Sequence, residues 1–148
     1  MFKAVLLEET DGKVTSSIQE LDESRLPDGE VTVAVEYSTL NYKDGMALKG
    51  IGRVVREYPF IPGIDFAGAV EASNHPDYQP GDTVVLTGWR VGELHWGGFA
   101  QKARVQGDWL VPLPEGLNAK RSMGLGTAGF TAMLAIMALE RHGMQPAN

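Results

Sequence analysis

Asn41-Tyr42-Lys43-Asp44-Gly45, read with Pro62-Gly63-Ile64-Asp65-Phe66-Ala67-Gly68, decides how this chain is organised. Each is a polar cluster beside an apolar segment. The first follows the β-branched run Val31-Thr32-Val33-Ala34-Val35, which reads as a strand. Polar side chains at a strand end sit where a rigid sheet presents chemistry. Residues 42–48 predict a short helix, stopped by Gly50 and Gly52. Residues 66–72 predict a strand in which Ala67 and Gly68 let a neighbouring backbone come close.

The chain on both sides of this centre is β-rich. Residues 3–8 and 14–21 predict a hairpin around Thr10-Asp11-Gly12-Lys13. Leu26-Pro27-Asp28-Gly29-Glu30 and Pro80-Gly81-Asp82 are turns, the second leading into a strand over 83–86. Residues 88–98 hold Trp89, Trp96 and four glycines and read as a shaped loop. Strands over 99–105 and 108–111 follow, and Pro112-Leu113-Pro114 closes the region. Short strands punctuated by turns predict a mainly β fold with short helices, a sandwich or partly open barrel.

The character changes after residue 115. Thr127 is placed as a helix N-cap, and residues 128–139 are apolar except at Gly129 and Thr131. Arg141 and His142 suit the last turn, Gly143 a left-handed cap, and Pro146 lies just beyond. A helix apolar all round is buried on more than one side. The expectation is that a covering layer, from a partner or from more chain, belongs over it. An isolated piece with this helix bare is expected to be poorly soluble or to self-associate.

Composition excludes several classes. The 148 residues suffice for one domain with a core. With 13 Lys+Arg against 19 Asp+Glu, the net charge of −6 argues against nucleic acid or an anionic membrane as main partner. Cysteine is absent, which excludes disulfides, a catalytic thiolate and thiolate-bound zinc. The apolar start closes at Glu8, too short for a signal peptide, and no apolar run is expected to reach the ~18 residues of a membrane span. A cytoplasmic enzyme or binding domain is the default expectation.

The motifs Asn-Tyr-Lys-Asp at 41–44, Pro-Gly-Ile-Asp-Phe-Ala-Gly at 62–68, Pro-Gly-Asp at 80–82, Gly-Gly-Phe-Ala at 97–100 and Gly-Thr-Ala-Gly-Phe-Thr-Ala at 126–132 stand in an informative order. The chain resembles the N-terminal part of the zinc-free quinone-reductase branch of the medium-chain dehydrogenase/reductase superfamily. Leu-Thr-Gly-Trp at 86–89, His-Trp-Gly-Gly at 95–98 and Gly-Asp-Trp-Leu-Val at 107–111 are similar to the acryloyl-CoA reductases within that branch. The resemblance implies a GroES-like partly open β-barrel over 1–123, incomplete, serving as the substrate and catalytic domain. It implies that 124–148 form a helix leading toward a Rossmann domain absent from this chain. It also implies NADPH as cofactor, an acyl-CoA or enone substrate, a homodimer when complete, and no activity from this part alone.

Gly124-Leu125-Gly126-Thr127-Ala128-Gly129 has the spacing Gly-x-Gly-x-x-Gly, but no clear strand directly precedes it. It is therefore read as helix-entry chemistry and not as the dinucleotide fingerprint. Zinc-dependent relatives carry a cysteine near position 41 and a histidine near position 64, where this chain has Asn41 and Ile64. No metal is expected, since His75, His95 and His142 are widely separated in sequence. Hydride transfer without a Lewis acid suits a conjugated C=C bond better than an alcohol.

Tyr42 is the leading candidate for catalysis and cofactor binding. The resemblance implies a contact to NADP there, with the ring packing on nicotinamide and the hydroxyl orienting substrate or relaying a proton. The alternative is a half-buried tyrosine that anchors the helix. Asn41 and Asp44 are the other catalytic candidates, although Asp44 equally suits a helix cap. Thr127 is placed at the cofactor cleft, or else serves as an N-cap. Asp65 reads as structural, bonding backbone amides. The basic run Lys43, Lys49, Arg53, Arg56 either attracts phosphates or forms a solvated face. His95, Trp89 and Trp96 either wall a substrate pocket or plug the core. Two other functions remain open: a quinone or enone reductase, and a GroES-like binding module without chemistry, which predicts ring assembly.

Overall fold

The computed structural model describes residues 1–145. Strands β1 (Phe2–Thr10) and β2 (Lys13–Leu21) form the predicted antiparallel hairpin. Its two-residue turn has positive φ at Asp11 (52°) and Gly12 (76°), the left-handed pair whose twist matches the flanking strands. A five-stranded antiparallel sheet carries the rest, in the order β6-β3-β4-β5-β7. Its strands are β3 (Val31–Ser38), β4 (Asp65–Ser73), β5 (Thr83–Thr87), β6 (Lys102–Val105) and β7 (Val111–Pro112).

The hairpin is stitched to the rest of the chain by isolated bridges and not by a continuous ladder. Val5 N–H donates to Phe99 O at 2.8 Å, and Leu7 and Phe60 exchange backbone hydrogen bonds of 2.7 and 2.9 Å. Phe2, Ala4, Leu6, Leu21, Leu26 and Ile61 fill the space under the hairpin, against Trp96 and Phe99. The larger core lies on the five-stranded sheet, where Val31, Val33, Phe66, Val84, Leu86, Val91 and Val105 are wholly buried. This is the partly open β-barrel expected from the short strands.

Three expectations shift. The strand placed at 99–105 starts at Lys102, and Phe99 and Gln101 ahead of it bond to Val5 and Lys3 of the hairpin. The strand placed at 108–111 is a 3-10 turn, Gly107–Trp109, followed by the two-residue β7. The long helix α2 (Ala119–Arg141) begins eight residues before Thr127. Its N-cap is Asn118, whose side chain accepts from Arg121 N–H at 2.9 Å. At Gly126 the backbone leaves helical geometry (φ 50°, ψ −159°), and a second helical segment starts at Thr127.

The first segment of α2 sits on the sheet through Ala119 and Met123, which pack against Ala67. The second lies bare: Phe130 and Met133 are each 56% exposed, and Leu134, Ile136 and Leu139 are exposed with them. The helix ends as expected, with Gly143 at φ 89° and Met144 N–H closing back to Leu139 O at 3.1 Å. Pro146 lies outside the described residues. The composition reading is corrected in one respect: α2 holds an 18-residue window of mean hydropathy 1.6, long and apolar enough to cross a membrane by length and composition alone. Gly124, Gly126 and Thr127, which interrupt the run, concealed this. One such helix is weak evidence for a span.

Candidate active site

Helix α1 (Tyr42–Lys49) leaves the end of β3 and brings the polar cluster to the protein surface. Gly50 ends it at φ 64°, with Gly50 N–H bonded to Ala47 O and Ile51 N–H to Met46 O, both at 3.0 Å. At its start Asp44 folds back, and Asp44 Oδ2 accepts from Asn41 N–H at 2.8 Å. The second oxygen, Oδ1, accepts from Ile64 N–H at 3.0 Å. Both carboxylate oxygens of Asp44 therefore hold backbone, one on its own helix and one on the Pro62–Gly63–Ile64 segment.

Asp44 is 0% exposed, and burial pushes its carboxyl above the ordinary carboxylate value, against the opposing pull of the Asn41 and Ile64 amides. A carboxyl raised in the fold favours folding at pH below its unfolded value. That contribution is lost as pH rises through the folded value. Urea unfolding of the native chain and of Asp44→Asn across the acid range tests this. At neutral pH the variant leaves one amide unpaired and is expected to lose about 1–3 kcal/mol. On acidification the gap widens, because only the native chain gains. A gap that narrows instead would mean that the two amide bonds outweigh burial.

Tyr42 is the first residue of α1 and is 85% exposed. That disposes of the half-buried anchor. Its ring borders a shallow apolar depression formed by Leu40, Gly45, Met46, Leu48 and Ile51. Asn41, beside it, is fixed by its side chain: Nδ2 donates to Thr39 Oγ1 at 2.6 Å and to Asp65 Oδ2 at 3.1 Å.

Asp65 opens β4 and is 0% exposed. Besides Asn41, its Oδ2 accepts from Thr39 Oγ1 at 2.8 Å and from Thr127 N–H at 2.9 Å, while Thr127 Oγ1 donates to Oδ1. Thr127 is thus not its own cap. It is the first residue of the second helical segment, and the acceptor for its amide comes from another strand. Asn41 and Thr127, distant in sequence, meet on one carboxylate, and Thr39, which sequence reasoning missed, joins them there. A polar residue just past the end of β3, two positions before Asn41, was the available signal.

The other candidates lie apart from this centre. Lys43 pairs with Glu93 at 2.9 Å, while Lys49, Arg53 and Arg56 are solvated. His95 Nε2 bonds Arg104 O at 2.7 Å and stands edge-on to Trp109, which stacks on Trp89. Trp96 lies under the hairpin. Among the described residues no group of three or more His, Asp or Glu is placed to hold a metal ion.

What the arrangement offers a cofactor is limited and specific. An exposed aromatic ring over an apolar depression, beside a side-chain amide held in one orientation, fits the flat amide-bearing ring of a nicotinamide. The Gly124–Gly129 spacing lies within α2 with no strand directly ahead, so it does not form a dinucleotide phosphate loop.

Comparison places the chain. Residues 27–115 match the family described as Alcohol dehydrogenase GroES-like domain, and the chain belongs to that family. Among curated relatives, acrylyl-CoA reductase AcuI of Ruegeria pomeroyi is 60% identical over 150 aligned positions, covering 100% of this chain and 46% of the relative. The putative quinone oxidoreductase YhfP of Bacillus subtilis is 44% identical, covering 99% of this chain and 44% of the relative. The crystal structure of the yhdH oxidoreductase from Salmonella enterica in complex with NADP superposes with a TM-score of 0.95 at 58% identity, covering 97% of this chain and 44% of that one. The chain therefore spans somewhat under half the length of these relatives.

Proposed function

We propose that this chain is the substrate-side part of an NADPH-dependent reductase of α,β-unsaturated acyl thioesters, turning acryloyl-CoA into propionyl-CoA in the cytoplasm. The observation that carries the reading is the 60% identity to acrylyl-CoA reductase AcuI along the whole chain. Residues 1–123 are then the GroES-like substrate domain, and the part from 124 onward leads into a nucleotide-binding domain supplied by further sequence. The partner is a small-molecule acyl-CoA, and the complete enzyme is a homodimer.

When bound, NADPH supplies a hydride to the β-carbon of the electron-poor C=C bond. The chain's own residues do the rest. Tyr42 lends its ring as a packing surface, and its hydroxyl stands free to orient the thioester or pass a proton to the α-carbon. Asn41 stands fixed beside it, with both amide hydrogens committed to Thr39 and Asp65, and so holds the start of α1 in place. Asp44 holds α1 in register with Ile64 through its two amide bonds. Thr127 stands where α2 turns away from the barrel, on the same carboxylate as Asn41.

A second reading is favoured by YhfP, a putative quinone oxidoreductase at 44% identity: the same site reducing quinones or simple enones. A binding module without chemistry leaves the exposed Tyr42 unexplained.

NADPH consumption with acryloyl-CoA tests the proposal, on this chain and on the product of its uninterrupted reading frame. Turnover is expected from the longer product only. There, Tyr42→Phe is expected to lower kcat about 100-fold, the usual scale for one proton-transfer group. Unchanged turnover in Tyr42→Phe removes the hydroxyl from the mechanism. Turnover of quinones without acryloyl-CoA moves the function to the second reading.

A further inference from the structure

The geometry points to Asp65 as a positioning residue that sets the orientation of the Asn41 amide and the entry of α2 together, so that the two walls of the proposed nicotinamide site move as one piece. The inference rests on the proposed NADPH-dependent activity.

A buried carboxylate is tolerated only when hydrogen bonds satisfy it. Asp65 takes them from three residues on two separate segments: Thr39 and Asn41 after β3, and Thr127 after the break in α2. Its own backbone carbonyl takes a further bond, from Ser38 Oγ at 2.7 Å, which fixes β4 to the same stretch. The helix beyond Gly126 points its N-terminal end at this charge, which favours it further.

An ionised carboxylate only accepts. Asn41 must therefore turn Nδ2 inward, as it does; the flipped amide would set oxygen against oxygen. Since Tyr42 follows directly, the amide orientation and the start of α1 are fixed together. On the other side, Gly126 shows how tightly the seat is built. A Cβ there would meet Asp65 Oδ2 and Thr39 Cγ2 at 2.8 Å each, on a backbone conformation that side chains rarely adopt. The break in α2 and the carboxylate are one construction. A helix cap alone would need only Thr127, and the bonds to Thr39 and Asn41 would be superfluous.

The test uses the full-length reductase, with NADPH affinity read by fluorescence titration and turnover read separately. Asp65→Asn keeps the size but carries a donor, so Asn41 is free to flip. NADPH affinity is expected to weaken about tenfold, and kcat to fall by up to about 100-fold, the scale of a small misplacement. Thr39→Val removes the donor to Asp65 and the acceptor for Asn41 Nδ2 while leaving the carboxylate in place, and is expected to lower both in the same direction, by about threefold. Thr39→Ser, which restores the donor, recovers them. Should Asp65→Asn fail to fold, the Thr39 pair decides alone. Folded Asp65→Asn or Thr39→Val with native affinity and turnover reduces Asp65 to a structural brace and overturns the inference. A full-length chain that binds NADPH but leaves acryloyl-CoA untouched removes the substrate assignment, while the affinity arm still decides on Asp65. A full-length chain that binds no NADPH overturns both.

Discussion

Gly68→Ala is expected to abolish cooperative folding. Gly68 lies in the middle of β4, opposite Val35. A Cβ there would stand 2.0 Å from Ala34 O and 2.9 Å from Ala34 C, both backbone atoms that cannot swing aside. Strands pair about 4.8 Å apart, so the methyl group fits only if β3 and β4 separate. The pairing also shifts register between Val35 and Tyr37, directly beside Gly68. Such a bulge twists the strands toward each other and makes the close approach possible. Opening the β3–β4 ladder splits the central pair of the five-stranded sheet, and the loss is expected to exceed about 4 kcal/mol. Gly124→Ala is the control. Nothing lies within 4 Å of a Cβ there, and in a helix the exchange should stabilise by about 0.5–1 kcal/mol. Circular dichroism during urea unfolding reads both. A Gly68→Ala protein with a native midpoint would mean that the strands accommodate the methyl group.

Phe66→Ala carries the second large effect. The ring is wholly buried at the centre of the main core, among Val33, Val84, Leu86 and Val91. Gly98 rests against it, since a Cβ on Gly98 would come within 2.7 Å of Phe66 Cβ. The cavity left by removing the ring is walled by strands that hydrogen bonds hold in place, so it collapses poorly. The expected cost is about 3–5 kcal/mol, a large share of the roughly 5–15 kcal/mol that stabilises a domain. Denaturant midpoints at constant slope measure it. A loss under about 1 kcal/mol would show that the core lies elsewhere.

What was legible in the sequence was whatever short-range chemistry determines. Asp11-Gly12 specifies its hairpin because the turn demands two left-handed residues. Asn41, Asp44 and Gly50 bracket α1 because caps act within one turn. Gly68 was legible as a close approach, though not which atom it approaches. The start of α2 was misread because Gly124 and Gly126 look like breakers and Thr127 like a cap. Asn118 is the true N-cap, and the second segment borrows its acceptor from Asp65. A cap supplied by a residue 62 positions away leaves no local trace. The same distance hid the site. Asp65 was read as a brace for nearby amides, whereas its partners come from Thr39, Asn41 and Thr127. The bareness of Tyr42 was equally invisible, since exposure depends on everything that surrounds a residue in space.

The stitching of β1 to the loop at Phe99 has a consequence in time. The hairpin leaves the ribosome well before residue 99, yet its apolar face is covered by Ile61, Trp96 and Phe99. Val5 N–H finds Phe99 O only after residue 99 has been made. At the usual pace of translation that is a delay of roughly 5–20 s, far longer than hairpins take to form. For that interval Phe2 and Leu6 stay uncovered on a nascent chain, and slow stretches of translation would lengthen the exposure.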